Sequence, residues 1–342
     1  MQQRRLPVYL MLDCSESMAG PAIDAVNLGV KALVKEVQSN PHALETVYLS
    51  VITFARYAKQ VAPLTEAIRF QPPQLKIQPG TAMGAALALL MDRLTKEVKK
   101  TTATTKGDYR PLVFLLTDGQ PTDNWQPAVE AFRKMQTPRV ASVYAIGCGP
   151  DVDTGLLRRI TDVVLMMPEM SPESIRKFFV WLSASIQAVS QKVGGEGGDH
   201  SPLDIKSIPP DLMRVIDETF QQDDSHRELR QVFLHAKCSK TRSPYLMRFS
   251  RSAYGGTYEA VAAHKLEAIE EGDAESLAPI NSSQLAGVPP CPYCGNLGAA
   301  VCPCGTTFCD DPNNTAPVTC PGCHASLGMG GTGSFDIKRS QG

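Results

Sequence analysis

Five oxygen-bearing residues, set at three separate places in the chain, have the types and positions needed to hold a hard divalent cation. Asp13, Ser15 and Ser17 stand at alternate positions directly after the apolar run Leu6-Pro7-Val8-Tyr9-Leu10-Met11-Leu12. Such a run reads as a buried strand, so the three side chains converge where the chain leaves a sheet. Thr81 precedes Ala82-Met83-Gly84-Ala85-Ala86-Leu87, a run of small and straight-chain residues that reads as a helix reaching about Lys99. Asp118, within Thr117-Asp118-Gly119, follows the apolar strand Pro111-Leu112-Val113-Phe114-Leu115-Leu116. Hydroxyl and carboxylate oxygens suit Mg²⁺, whose small octahedral shell combines a few protein oxygens with water. Two carboxylates leave such an ion roughly charge-balanced and three hydroxyls add no charge, so a carboxylate from a partner can profit from a vacant position. Taken alone, Asp-x-Ser-x-Ser is a turn that caps the helix opening near Pro21; the three pieces together, each at an element's end, point to a metal. Asp123 and Trp125 follow the Asp118 loop and are placed either to flank a docked partner or to serve as a helix cap and a packing aromatic.

A second, softer metal chemistry lies toward the C-terminus. Seven of the ten cysteines fall between Cys291 and Cys323, while Cys14, Cys148 and Cys238 are scattered. Cys291-Pro292-Tyr293-Cys294-Gly295 and Cys320-Pro321-Gly322-Cys323 each set two thiols three positions apart, with proline and glycine permitting the tight turn. Two such knuckles supply the four sulfurs of a closed tetrahedral zinc site, so the first expected set is Cys291, Cys294, Cys320 and Cys323. Cys302, Cys304, Cys309 and His324 then form a second site or alternative ligands; pairing Cys304 and Cys309 with the last knuckle also fits the spacing. Clustering without an export signal favours zinc over disulfides, and a reducing compartment. A dithiol redox site lacks the surrounding βαβ pattern. With few large apolar side chains in this stretch, metal must supply much of its folding energy.

The elements that position these residues follow from periodicity. Residues 1 to 192 alternate strand and helix patterns, which predicts an α/β fold with a doubly wound, mostly parallel sheet. Ile23, Val26, Val30, Leu33, Val34 and Val37 recur at helical spacing after Pro21, and Thr46 to Phe54 is a β-prone run with an antiparallel edge partner at Lys59 to Leu64. Asp123-Asn124 is expected to cap a helix through Met135, followed by strands at Val140 to Gly147 and Val163 to Met167 and a last helix from Ser171 to Lys192. Gly194-Gly195-Glu196-Gly197-Gly198 breaks the pattern, and residues 193–202 read as a flexible linker. Residues 203–283 then read as a small β-rich region: a polar helix-like stretch, strands at Gln231 to Cys238 and Tyr245 to Arg251, a hairpin loop between them and a further strand near Tyr258. Residues 284–342 read as a separate zinc-ribbon module with a last strand near Phe335 to Ile337.

Charge offers no general pull toward polyanionic partners, so any such contact would need a local patch. With 34 basic and 35 acidic side chains, the formal net charge of -1 gives no bulk attraction to nucleic acid or anionic membrane. The cysteine-rich end carries only Lys338 and Arg339 against Asp310, Asp311 and Asp336. Lys237, Lys240, Arg242, Arg248 and Arg251 make a better basic patch, which reads first as a solvated hairpin face. No apolar stretch is long enough to span a membrane, and the charged N-terminus leads into a first strand rather than a signal peptide.

The arrangement of Asp13, Ser15, Ser17, Thr81 and Asp118 resembles the metal-ion-dependent adhesion site of von Willebrand factor A domains. The resemblance covers roughly the first 190 residues and implies that the two serines bind the cation directly, with Asp13, Thr81 and Asp118 binding directly or through water. With the metal-site residues, Val232-Phe233-Leu234, Pro244-Tyr245-Leu246 and the Cys-Pro-x-Cys-Gly start of the ribbon, the whole chain resembles the bacterial TerY family, linked to tellurite-resistance and stress-response systems. That resemblance implies a non-enzymatic scaffold in the cytoplasm, acting with a protein kinase and a PP2C-type phosphatase. The alternatives are a nucleic-acid-binding zinc ribbon and, below it, a metal-dependent hydrolase, for which the motif loops offer no histidine or lysine as general base.

Overall fold

A computed structural model describes residues 4–137, 139–149, 152–193, 203, 205, 208–216, 231–252, 256–267, 269, 278–313, 316–328 and 334–339. The chain divides into two compact units, one of residues 1–77 and 81–223, the other of residues 78–80 and 224–342.

The first unit is a seven-stranded sheet with helices on both faces. Its elements in chain order are β1 (Leu6–Asp13), α1 (Pro21–Ser39), α2 (Pro41–Thr46), β2 (Val47–Phe54), β3 (Ala58–Glu66), α3 (Met83–Glu97), β4 (Leu112–Thr117), α4 (Gln126–Met135), β5 (Ser142–Cys148), α5 (Thr154–Ile160), β6 (Val163–Met167), α6 (Pro172–Val193) and β7 (Arg214–Ile216). The strand order is β3-β2-β1-β4-β5-β6-β7, with β2, β1, β4, β5 and β6 parallel and the two edge strands antiparallel. Every residue of β1 and β4 is buried, as a parallel strand covered on both faces requires. Alternation along β1 sends its side chains to two different cores: Val8, Leu10 and Leu12 join α1 and α6 on one face, Tyr9 and Met11 join α3, α4 and α5 on the other.

Those two faces hold together by close packing. Gly29 of α1 lies against Phe179 of α6, and a Cβ there would overlap the Phe179 ring, so glycine is what lets the two helices approach. On the opposite face Gly84 of α3 faces the 123–125 loop, where a Cβ would stand 2.8 Å from Trp125 Cα.

The second unit is built from β8 (Gln231–Lys237), β9 (Pro244–Arg251), β10 (Tyr258–Lys265), β11 (Ile280–Asn281), β12 (Leu285–Ala286), β13 (Gly298–Val301), β14 (Thr307–Asp310), β15 (Val318–Thr319), β16 (Ser326–Leu327) and β17 (Asp336–Ile337). Six of these form one sheet in the order β12-β10-β9-β8-β14-β13. The β8–β9 and β13–β14 pairs are antiparallel hairpins, joined where Phe308 of β14 lies beside Lys237 of β8. Val232, Leu234, Tyr245, Met247 and Phe249 form its core together with Cys238, Cys291 and Cys309.

The doubly wound sheet stands as expected, but the boundaries differ. Leu203, Ile208, Leu212 and Met213 are buried in the first unit's core, the Leu203 N–H donates to Tyr144 Oη at 3.0 Å, and β7 pairs with β6. The first unit therefore runs past the expected linker at 193–202, because these apolar side chains are buried in its core. The Gly194–Gly198 joint and most of the polar stretch before Gln231 lie outside the described residues. The expected division at 283/284 is not followed either, since β13 and β14 hydrogen-bond into the sheet of β8 to β10. Helices α2 and α5, of 6 and 7 residues, are too short to show a helical period, and each is set instead by an Asn40 or Asp153 side-chain cap.

Gly29→Ala is expected to lower the stability of the first unit by about 1–3 kcal/mol through overpacking against Phe179. Urea unfolding followed by Trp181 fluorescence would measure it; an unchanged midpoint would mean that α1 and α6 do not pack this closely.

Candidate metal centres

The oxygen site is assembled at one end of the parallel sheet. Asp13 closes β1 and is fully buried; its Oδ1 accepts from the Ser15 N–H at 2.9 Å and its Oδ2 from the Thr117 hydroxyl at 2.5 Å. Burial pushes the Asp13 carboxyl up to about 6, while the hydrogen bonds from Ser15 and Thr117 pull the other way. From Ser15 a row of oxygens leads outward. Ser15 Oγ and Ser17 Oγ are 2.9 Å apart, and the Ser17 hydroxyl donates to Asp118 Oδ1 at 2.7 Å. Ser15 is buried, whereas Ser17 and Asp118 are half-buried, so the row ends at the surface.

Thr81 is held at the same sheet end by backbone bonds. The Cys14 N–H donates to the Phe54 carbonyl, and the next carbonyl, of Ala55, accepts from Ala82 N–H. On its other side the Thr81 N–H donates to Thr122 Oγ1 at 2.8 Å and the Thr122 N–H to the Thr81 carbonyl at 3.0 Å. Thr81 is thus clamped between the loop after β2 and the loop after β4. Its own Oγ1 is buried and has no hydrogen-bond partner among the described residues. A buried hydroxyl without a partner is costly, and a cation in a cleft lined by oxygens removes that cost. The donor set and this unspent hydroxyl together fit a hard divalent ion.

Asp123 and Trp125 are engaged within the unit. Asp123 Oδ1 accepts from Gly84 N–H at 3.0 Å and its Oδ2 from Ala85 N–H at 2.9 Å, so the carboxylate caps α3, not α4 as expected. Trp125 packs against the α3–α5 core with the Arg159 guanidinium 4.8 Å above its ring. Thr117 and Thr122, which fix Asp13 and Thr81, were not singled out in sequence; a threonine beside a metal-site aspartate is the signal that could have found the first.

The thiols gather into two sets of four: Cys238, Cys291, Cys294 and Cys309, and Cys302, Cys304, Cys320 and Cys323, the sulfurs of each set within 4.8 Å of one another. Cys294 and Cys309 sulfurs are 3.5 Å apart, Cys302 and Cys323 3.6 Å, and Cys304 and Cys320 3.8 Å. Four thiolates about 2.3 Å from a central ion stand about 3.8 Å apart, far from the roughly 2.05 Å of a disulfide. Backbone N–H groups point at the sulfurs as they do around bound thiolates, from Ser239 to Cys309 at 3.3 Å, Thr241 to Cys238 at 3.4 Å and Gly322 to Cys320 at 3.3 Å.

This partition corrects the expected one. Cys291 and Cys294 do not meet Cys320 and Cys323, and His324 is in neither set. One recurring turn explains the place of His324. In the loops beginning at Cys238, Cys291 and Cys320, the N–H four residues on donates to the cysteine carbonyl, and the cysteine N–H donates to the carbonyl five residues on. The residue at the fourth position has positive φ in each: Arg242 at 62°, Gly295 at 78° and His324 at 66°. His324 is therefore the turn residue of its knuckle. The Cys238 loop is a knuckle whose second cysteine position is Thr241, and Cys309 of β14 supplies the missing sulfur. Counting would have helped: setting aside Cys14 and Cys148 in apolar strand ends, eight thiols remain, two complete sets.

Residues 8–172 match the von Willebrand factor type A domain family, residues 161–255 match a second family of von Willebrand factor type A domains, and residues 228–342 match the TerY-C metal binding domain. No curated protein matches the chain. Among solved structures, a von Willebrand factor type A protein from Catenulispora acidiphila is 20% identical with a TM-score of 0.40, covering 54% of this chain and 43% of that one. The ArnB paralog VWA2 from Sulfolobus acidocaldarius is 17% identical with a TM-score of 0.39, covering 52% and 46%. Proximal thread matrix protein 1 from the mussel byssus, solved with a zinc occupied MIDAS motif, is 18% identical with a TM-score of 0.40, covering 54% and 48%. The chain spans less than half the length of these three.

Asp123→Ala is expected to cost the first unit about 1 kcal/mol, the usual loss for an N-cap side chain. Thermal unfolding would detect it, and a variant of unchanged stability would return Asp123 to the partner-flanking role.

Proposed function

We propose that this chain, a TerY-like von Willebrand factor A protein with a C-terminal metal-binding module, is a non-enzymatic adaptor that captures a partner carboxylate on a Mg²⁺ ion held by Asp13, Ser15, Ser17, Thr81 and Asp118. The observation that carries this reading is the row Ser15–Ser17–Asp118 running from the buried Asp13 to the surface, with Thr81 held at the same sheet end and its Oγ1 buried without a hydrogen-bond partner among the described residues. Asp13, Thr81 and Ser15 lie deepest and would fix the ion, while Ser17 and Asp118 border the opening through which a carboxylate arrives. When bound, the ion supplies positive charge and an exchangeable water position. The protein's own part is to hold its oxygens in place, with Ser15 N–H and Thr117 O–H orienting Asp13.

In the second unit each four-thiol set would hold one Zn²⁺, closing the site completely as in structural zinc modules. Closed sulfur shells leave no position for substrate, which supports an interaction role over catalysis. By family resemblance the partners are a protein kinase and a PP2C-type phosphatase of a tellurite- or stress-response system. Eight thiols kept for metal fit the reducing cytoplasm. Among the described residues no helix is long and apolar enough to cross a membrane.

Binding to a purified partner kinase or phosphatase is expected in Mg²⁺, to disappear in chelator, and to fall roughly 10- to 100-fold in Asp118→Ala with the fold intact by circular dichroism. Calorimetry that finds equal affinity with and without Mg²⁺ would defeat the carboxylate-capture mechanism. Independently, the purified chain should carry two equivalents of zinc. His324→Ala should keep both and Cys238→Ser should lose one; the reverse pattern would restore His324 as a ligand.

A further inference from the structure

The two thiol sets differ in ways that matter for their chemistry. In the first, Cys238, Cys291 and Cys309 are buried and Cys294 half-buried; in the second, Cys302 and Cys320 are buried but Cys304 and Cys323 are exposed. The first lies in the unit's main core with Val232, Leu234, Tyr245, Met247 and Phe249. Among the described residues the second is backed by a small group, Phe308 with Ala300, Val318 and Leu327 around Cys302 and Cys320. Their spans differ as well. The first set draws together the β8–β9 turn, the 291–294 knuckle and β14, whereas the second joins two neighbouring turns at 302–304 and 320–323. Losing the first ion would release strands across the sheet; losing the second would loosen one short local loop.

We propose that the second set is an oxidative modification site, at which hydrogen peroxide converts thiolates to disulfides and releases the metal while the first set keeps its ion and the sheet. The inference rests on the zinc reading above. Within the second set each exposed sulfur has a buried partner, Cys304 beside Cys320 at 3.8 Å and Cys323 beside Cys302 at 3.6 Å. That is the arrangement of an accessible thiolate with a resolving one behind it. Cys304 Sγ attacks one peroxide oxygen, the O–O bond breaks with loss of hydroxide, and a sulfenic acid forms. Cys320 Sγ then attacks the Cys304 sulfur, forms the S–S bond and expels a second hydroxide. The two thiolates have lost two electrons to the peroxide, and two solvent protons turn the hydroxides into water. Two thiolates remain, too few for a closed tetrahedral shell, and the site lets its ion go. A second peroxide would join Cys302 to Cys323 by the same steps.

The test uses the full, zinc-loaded chain. Its metal content is measured first, then hydrogen peroxide is added in graded doses with a chromogenic chelator reporting released zinc and peptide mapping reporting each cysteine. The expected result is release of one equivalent of two, with Cys304–Cys320 and Cys302–Cys323 disulfides, while Cys238, Cys291, Cys294 and Cys309 oxidise roughly ten-fold more slowly and far-ultraviolet circular dichroism holds. A chain that carries no zinc at the outset would sink the zinc reading itself. A chain that carries two equivalents and loses both together, or oxidises the first set as fast, would overturn this inference alone. Cys304→Ser, treated alike, is expected to start with one equivalent and to release none of it under the doses that empty the second set of the unmodified sequence; release of that remaining equivalent just as fast would also overturn it.

Discussion

A carboxylate buried at the end of the central strand organises the first unit. Asp13 follows seven buried residues of β1 and is itself fully shielded from solvent. Left without compensation, such a charge would be strongly unfavourable, and two hydrogen bonds soften it, one from Ser15 N–H within its own turn and one from the Thr117 hydroxyl at the end of β4. The second bond crosses between the strands from which the chain winds outward in opposite directions, β2 and β3 to one side, β5, β6 and β7 to the other. Ligand crevices in open α/β sheets form at this kind of reversal, outside the carboxyl ends of the strands. The Ser15, Ser17 and Asp118 oxygens are strung between the same two strands, so their placement depends on Asp13 staying where it is.

The second unit answers a different constraint. The unit has a modest apolar core and several strands of only two residues, so burial alone gives it little margin. The repeated cysteine turn compensates by using backbone geometry to aim sulfurs. Positive φ at Arg242 and His324, where only Gly295 is free of steric cost, shows that the turn is kept even with residues that resist it. An ion at the first set would offset the strain at Arg242 and cross-link segments far apart in sequence.

How much of this was legible in the sequence depends on how local each feature is. β1, β4 and the long helices show in periodicity because burial on both faces leaves continuous apolar runs, and the Asp13 and Asp118 positions follow from where those runs stop. The partition of sulfurs does not follow, because spacing within a knuckle is local while its partner is chosen by strand pairing. The β14–β8 contact that brings Cys309 to Cys238 rests on a single pairing, Phe308 with Lys237. Cys238 was invisible for a further reason: its knuckle carries Thr241 where a second cysteine announces the motif. β7 was missed since three residues with one buried side chain give no alternation to read.

The oxygen row and the two sulfur sets draw on different donor chemistry, and the fold keeps thiols out of the row. Cys14 directly follows Asp13, yet alternation along β1 places it with Leu10 and Leu12 in the α1–α6 core rather than in the row of oxygens. Cys148, at the end of β5, is buried in the same core. The oxygen row thus contains only carboxylate and hydroxyl donors, which favour a hard ion over the thiophilic one that the second unit's sulfurs select. The converse also holds, since no carboxylate joins either set of four sulfurs among the described residues. Under the proposals above, the first unit would then answer to divalent-ion supply and the second to thiol chemistry.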